Sequence, residues 1–166
     1  MKILAIDQSY TSSGIVILED GVMTHFELFK TDPSKDIFSR AWDAAIHMKS
    51  MAETYKPDHI IMEGLAFSKF GDATRDLAGL QFVMITILRF QEGYDVLVIP
   101  PNTVKKVATG KGNAKKEQLL ECLPVDVKEQ FVARGAKKTK GLYDLSDAYW
   151  IGKSGIIEIG NRKDVA

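Results

Sequence analysis

Cysteine is nearly absent, since Cys122 is the only thiol in 166 residues. One cysteine excludes an internal disulfide framework and any paired-cysteine metal site, and a reducing cytoplasm is the expected compartment. Histidine is also scarce. His25, His47 and His59 show no metal-ligand spacing and read as structural or surface residues. No apolar run approaches the ~18 residues of a membrane span, so no membrane partner is expected. Only Lys2 precedes the first short apolar run, which is not the pattern of a signal peptide. Net charge is missing too: 22 basic residues balance 22 acidic ones. That balance by itself argues mildly against a nucleic-acid partner.

The composition that remains, 45% apolar and 27% charged, is that of a globular chain long enough for one real core. Its charge is unevenly placed. Between Lys105 and Lys140 ten basic residues face four acidic ones, and the remaining acidic charge lies elsewhere. Distribution, more than the sum, decides what a surface attracts.

Hydropathy patterning gives a short strand over residues 2–7 and a second over Gly14–Leu18. Asp20-Gly21 is a hairpin signal leading into a third strand, Val22–Lys30. Apolar residues at helical spacing run from Ile37 to Tyr55, and Pro57 ends that helix. His59–Glu63 reads as a buried strand, residues 71–90 as a helix, and Tyr94–Ile99 as a Val-rich strand closed by Pro100-Pro101. Strand, long helix, strand is a crossover unit, which makes the last two strands parallel neighbours. The expected fold is α/β: a mixed five-stranded sheet, three antiparallel strands then two parallel, with helices on both faces. Beyond Pro101 short helices are expected over residues 102–108, 114–123 and 127–133, then a basic loop RGAKKTKG and a final helix Tyr143–Gly152. The expected domain is residues 1–155, with 156–166 as a C-terminal tail.

Four carboxylates stand apart from the solvated majority. Asp7 ends the apolar run ILAI and Glu63 ends IIM, so parallel strands would bring both to one carboxyl edge of the sheet. Asp144 and Asp147 share one face of the last helix beside apolar Leu145, Ala148 and Ile151. Clustered carboxylates repel, and a hard divalent cation such as Mg²⁺ or Mn²⁺ removes that problem. Helix capping by Asp144 and strand-end solvation of the others are the alternatives, and spacing alone does not choose.

The stretch LAIDQSYTSSG resembles the phosphate-binding hairpin of sugar kinases in the actin-like ATPase superfamily. It departs from them at Ser9 and Tyr10, where those proteins carry Gly and Thr, and no second phosphate motif follows. A fuller resemblance, from Lys2 to about Gly155, is to the RuvC family of Holliday junction resolvases, nucleases with a ribonuclease H-like fold. Asp7 and Glu63 match that family's strand-end carboxylates, and Asp144-Leu145-Ser146-Asp147-Ala148 matches its terminal pair. The segment PPNTVKKVATGKGNAKKEQL matches its lysine-bearing motif over twenty positions, placing Lys105 and Lys116 on the two family lysines that contact DNA near the scissile phosphate.

The resemblance implies a metal-dependent endonuclease that resolves four-way junctions in branched DNA by paired nicks, leaving 5′-phosphates. It implies catalytic roles for Asp7, Glu63, Asp144, Asp147 and Lys116, with the four carboxylates holding two Mg²⁺ or Mn²⁺ ions per active site. DNA contacts are expected from Lys105, Lys111, Lys115, Lys137 and Lys138, and a homodimer is expected, with the helix over residues 71–90 at its interface. The family's base-contacting aromatic falls on Ala66 here, so Phe67, or Phe70 close by, takes that expectation. Action on flaps, forks or three-way junctions uses the same carboxylates, and an ATP-binding fragment without nuclease activity is the remaining alternative.

Overall fold

The first three strands are one meander. Lys2–Asp7 (β1), Ser13–Glu19 (β2) and Val22–Phe29 (β3) pair antiparallel. Asp20 and Gly21 turn the second hairpin with φ of 48° and 81°, the two left-handed positions of a type I′ turn. The computed structural model describes residues 1–65 and 72–163.

Ile37–Tyr55 (α1) starts where the Asp36 carboxylate accepts hydrogen bonds from the Phe38 and Ser39 amides at 2.9 and 3.0 Å. It stops at Lys56 in the left-handed region, immediately before Pro57. His59–Glu63 (β4) then pairs parallel with β1, and Val96–Ile99 (β5) parallel with β4. The sheet order is β3-β2-β1-β4-β5, so the doubly hydrogen-bonded β1 and β4 lie inside. Between β4 and β5 runs Asp72–Ile85 (α2), which widens into a π-helical turn over Thr86–Gln91. Periodicity does not forecast that widening. Pro101–Thr109 (α3), Lys116–Glu121 (α4) and Val125–Ala133 (α5) follow, then Leu142–Lys163 (α6).

Alternation along β1 sends its residues to two cores. Leu4 and Ile6 face α1 and α2 with Ile15, Ile17, Met48, Leu80 and Met84. Ile3 and Ala5 face the opposite side with Val16, Leu18, Ile61, Phe131, Leu145 and Ile151. Both faces are therefore covered by helices, as an α/β sheet with buried central strands requires.

The largest difference from the sequence reading is at the end of the chain. Past Gly152, α6 continues through Lys163, and Ile159, in the stretch expected as a tail, is buried in the core. The expected helix ends at Gly152, but Gly152 and Gly155 are packing contacts inside a longer one. A Cβ on Gly152 would lie 2.7 Å from Leu18 Cδ1, and one on Gly155 2.5 Å from Ile61 Cγ1. Glycine lets α6 lie directly on the sheet.

Candidate active site

Register places the first two carboxylates. Ile6 pairs with Met62 in the parallel β1–β4 ladder, so Asp7 and Glu63 are the next residues at the same carboxyl edge. By alternation both share the face of Ala5 and Ile61, the face that α6 covers. The first turns of α6 bring Asp144 and Asp147 to that edge. Gly14, the cross-strand partner of Asp7, makes this approach possible. A Cβ there would sit 2.1 Å from the Asp144 carbonyl oxygen and 2.5 Å from its carbon.

The opposite wall comes from the basic segment. Lys116 opens α4, and its Nζ lies 3.0 Å from Asp147 Oδ2. The Trp150 indole of α6 donates to the Leu119 carbonyl of α4 at 3.0 Å, fixing the helix that carries Lys116. Together these elements enclose a cleft of about 600 Å³ lined by Asp7, Gln8, Glu63, Lys105, Lys115, Lys116 and Asp147, among others.

Its electrostatics are those of crowded, poorly hydrated carboxylates. Burial, then the charge of Asp147, push Asp7 well above the usual carboxylate range, with Lys116 opposing and Glu63 and Asp144 adding to the shift. Glu63 is raised to about 7 by burial and Asp147, against the pull of Lys116 and Lys105. Burial also raises Asp147, although Lys116 pulls the other way. For Lys116 itself burial favours the neutral amine, but Asp147, Asp7 and Asp144 outweigh it and hold its pKa up. Among the described residues no three His, Cys, Asp or Glu side chains are already drawn around a point an ion could fill.

The donor set nonetheless fits a hard cation. Among the described residues the buried Asp147 Oδ1 has no hydrogen-bond partner, and the carboxylates raise one another's pKa in the way a divalent charge would relieve. All the acidic side chains here offer oxygen, the ligand type of Mg²⁺ and Mn²⁺.

Of the expected residues, Asp7, Glu63, Asp147, Lys105, Lys115 and Lys116 share the cleft. Asp144 does not line it but acts on Asp7 and Asp147 through its charge. Lys111 is exposed on the turn after α3, and Lys137 and Lys138 are exposed on the loop between α5 and α6. Phe67 and Phe70 lie outside the described residues. Two glutamines were not singled out from the sequence. The Gln8 and Gln81 side-chain amides both donate to the Glu63 carbonyl, each at 2.7 Å. Only their burial, at 6% exposure each, marks them, and burial of a glutamine is not legible without the fold.

The chain is similar to known proteins in sequence and in fold. A family model described as "Crossover junction endodeoxyribonuclease RuvC" matches residues 3–129. The crossover junction endodeoxyribonuclease RuvC of Synechococcus sp. (strain WH7803) is 24% identical over 127 residues, covering 74% of this chain and 81% of that protein. The protein of the same name from Ehrlichia ruminantium (strain Gardel) is 29% identical over 160 residues, covering 89% and 91%. Among solved structures, that of Thermus thermophilus RuvC in complex with Holliday junction substrate superposes with a TM-score of 0.75 at 20% identity, over 96% of this chain and 94% of that one. With a family model matching three-quarters of its length, the chain belongs to the RuvC family of crossover junction endodeoxyribonucleases.

Proposed function

We propose that this protein resolves four-way DNA junctions by paired, divalent-metal-dependent nicks that leave 5′-phosphates. The observation that carries the reading is the meeting of Asp7, Glu63 and Asp147 in one cleft, with Lys116 paired to Asp147 and Lys105 on the same wall. Membership of the RuvC family supports junction DNA as the substrate.

Asp7, coupled through its charge to Glu63, Asp144 and Asp147, would be a ligand for the two Mg²⁺ or Mn²⁺ ions. Glu63 and Asp147 would hold them with it, and Asp144 would serve as a further ligand or orient water. When bound, such a pair supplies Lewis-acid stabilisation of the attacking and leaving oxygens of a phosphodiester. The protein's own groups do the rest. Lys116 and Lys105 hold the DNA backbone and offset the negative charge that builds on the phosphoryl oxygens as the bond to the 3′-oxygen breaks. Lys111, Lys115, Lys137 and Lys138 extend the cationic track along the backbone, which positions DNA without reading its sequence. Phe67 meets bases at the junction centre.

Two cuts of like polarity require a two-fold pair of sites. The dimer face is the apolar side of α1 and α2, where Phe38 (82% exposed) and Trp42 (54%) line a groove with Tyr10, Ile37 and Val83, and Phe82 of α2 is 67% exposed. Asp7→Asn tests the site assignment: cleavage is lost while junction binding in Ca²⁺ stays within a few-fold of wild type. A variant that still cuts at the wild-type rate removes Asp7 from the mechanism.

A further inference from the structure

The parallel ladder between β1 and β4 ends at Ile6 and Met62, one residue short of the carboxylates. Beyond that point the Glu63 carbonyl needs donors from elsewhere, because a backbone oxygen left unpaired away from water is costly. It finds two. Gln8 Nε2, from the residue after Asp7, and Gln81 Nε2, from α2, each donate to it at 2.7 Å. The next amide, Gly64 N–H, donates to the Ile99 carbonyl of β5 at 2.8 Å. The Glu63–Gly64 peptide plane is therefore gripped at its oxygen from β1 and α2, and at its nitrogen from β5. That grip sets the backbone torsion of Glu63 and, with it, the direction in which its carboxylate leaves the sheet.

We infer that Gln81 and Gln8 are positioning residues for Glu63, clamping its carbonyl so that its carboxylate is aimed into the cleft. Both side chains are only 6% exposed, so solvent does not supply a substitute donor. Gln81 reaches the Glu63 carbonyl from α2 without lining the cleft, whereas Gln8 both holds that carbonyl and lines the cleft beside Asp7. Gln81 also carries a connection across the molecule. It precedes Phe82, which is 67% exposed on the outer face of α2. Any shift of α2 along its axis would be felt at Glu63 through the Gln81 hydrogen bond. Outer partners of metal-binding carboxylates typically govern affinity or activity by 10–100-fold.

This inference rests on the metal-nuclease reading above, and the test separates the two. Mn²⁺ binding to the DNA-free protein is titrated by electron paramagnetic resonance for wild type, Gln81→Met, Gln81→Glu, Gln8→Met and Glu63→Gln. Thermal stability in EDTA and junction affinity in Ca²⁺ are measured alongside. The expected result is an approximately tenfold weaker Mn²⁺ affinity for Gln81→Met, and a larger loss for Gln81→Glu, whose carboxylate repels the Glu63 carbonyl. The maximal cleavage rate falls in parallel and is partly recovered at high Mn²⁺, while junction affinity in Ca²⁺ is unchanged. A lowered melting temperature with wild-type Mn²⁺ affinity in all three glutamine variants overturns the proposal and leaves a structural role. If one variant does not fold, the remaining two decide the same comparison. If Glu63→Gln itself binds Mn²⁺ like wild type, the metal reading fails before the glutamines are reached.

Discussion

Glu63→Gln is expected to make the metal-free protein more stable while destroying its activity. Burial and Asp147 raise the Glu63 pKa from 4.5 to about 7 in the folded state. A raised carboxyl pKa means that the folded protein holds the proton more tightly than the unfolded chain. Stability is therefore greatest below the unfolded value, falls as pH rises from 4.5 towards about 7, and levels off above it. A displacement of that size corresponds to at most about 3 kcal/mol, and because Glu63 lines an open cleft, ~1–3 kcal/mol is the working range. Glutamine removes the charge at nearly constant shape. For a domain of this length each kcal/mol moves the melting temperature by about 2–4 °C. Differential scanning fluorimetry in EDTA should thus show Glu63→Gln melting roughly 3–10 °C above wild type at pH 8, with the gap shrinking towards pH 5. Added Mg²⁺ reverses the order, since only wild type keeps the full ligand set. Equal melting of the two proteins in EDTA at pH 8, or a less stable variant, would refute the electrostatic account of this cleft.

Gly14→Ala puts a methyl group 2.1 Å from the Asp144 carbonyl oxygen. It should cost about 1–3 kcal/mol in denaturant unfolding and weaken Mn²⁺ binding by displacing the start of α6; unaltered values for both would deny the close approach a role. Lys116→Ala removes the ammonium on Asp147 and should lower the cleavage rate. Its salt dependence of junction binding should become shallower by about one unit of log–log slope, and an unchanged slope places Lys116 off the backbone. Phe82→Glu alters an exposed position, so folding stability should change by about 0.5 kcal/mol or less, while sedimentation shows monomers in place of dimers. Persistent dimers would move the interface to another face.

Much of the sheet was legible because its signals are local. Asp20-Gly21 specifies its own turn, and the strand–helix–strand spacing specifies parallel neighbours. The carboxylates were legible for a related reason: Asp7 and Glu63 each end a buried strand, and parallel pairing of the two strands brings them to one edge. What escaped the sequence depends on partners remote in the chain. The last helix was expected to end at Gly152, and the packing role of Gly152 and Gly155 shows only when Leu18 and Ile61 are seen pressing where a Cβ would be. Gln8 and Gln81 lie 73 positions apart and carry no motif; their common partner, the Glu63 carbonyl, appears only when α2 is folded onto the strand ends. The π-helical turn over Thr86–Gln91 has no compositional mark. Phe38 and Trp42 fit the helical apolar spacing of α1 as readily as Ala41 and Met48, and only the fold separates the outer face from the core.

The most direct test is a cleavage panel with strand-specific end labels: four-way junction, three-way junction, fork, flap and plain duplex, each with Mg²⁺ or Mn²⁺ and with EDTA. The account predicts metal-dependent cleavage of the four-way junction at paired, symmetric positions in strands of like polarity, with 5′-phosphates at the nicks and no product from Asp7→Asn. Cleavage that survives EDTA, or that leaves the four-way junction intact while cutting the flap or fork, would contradict it.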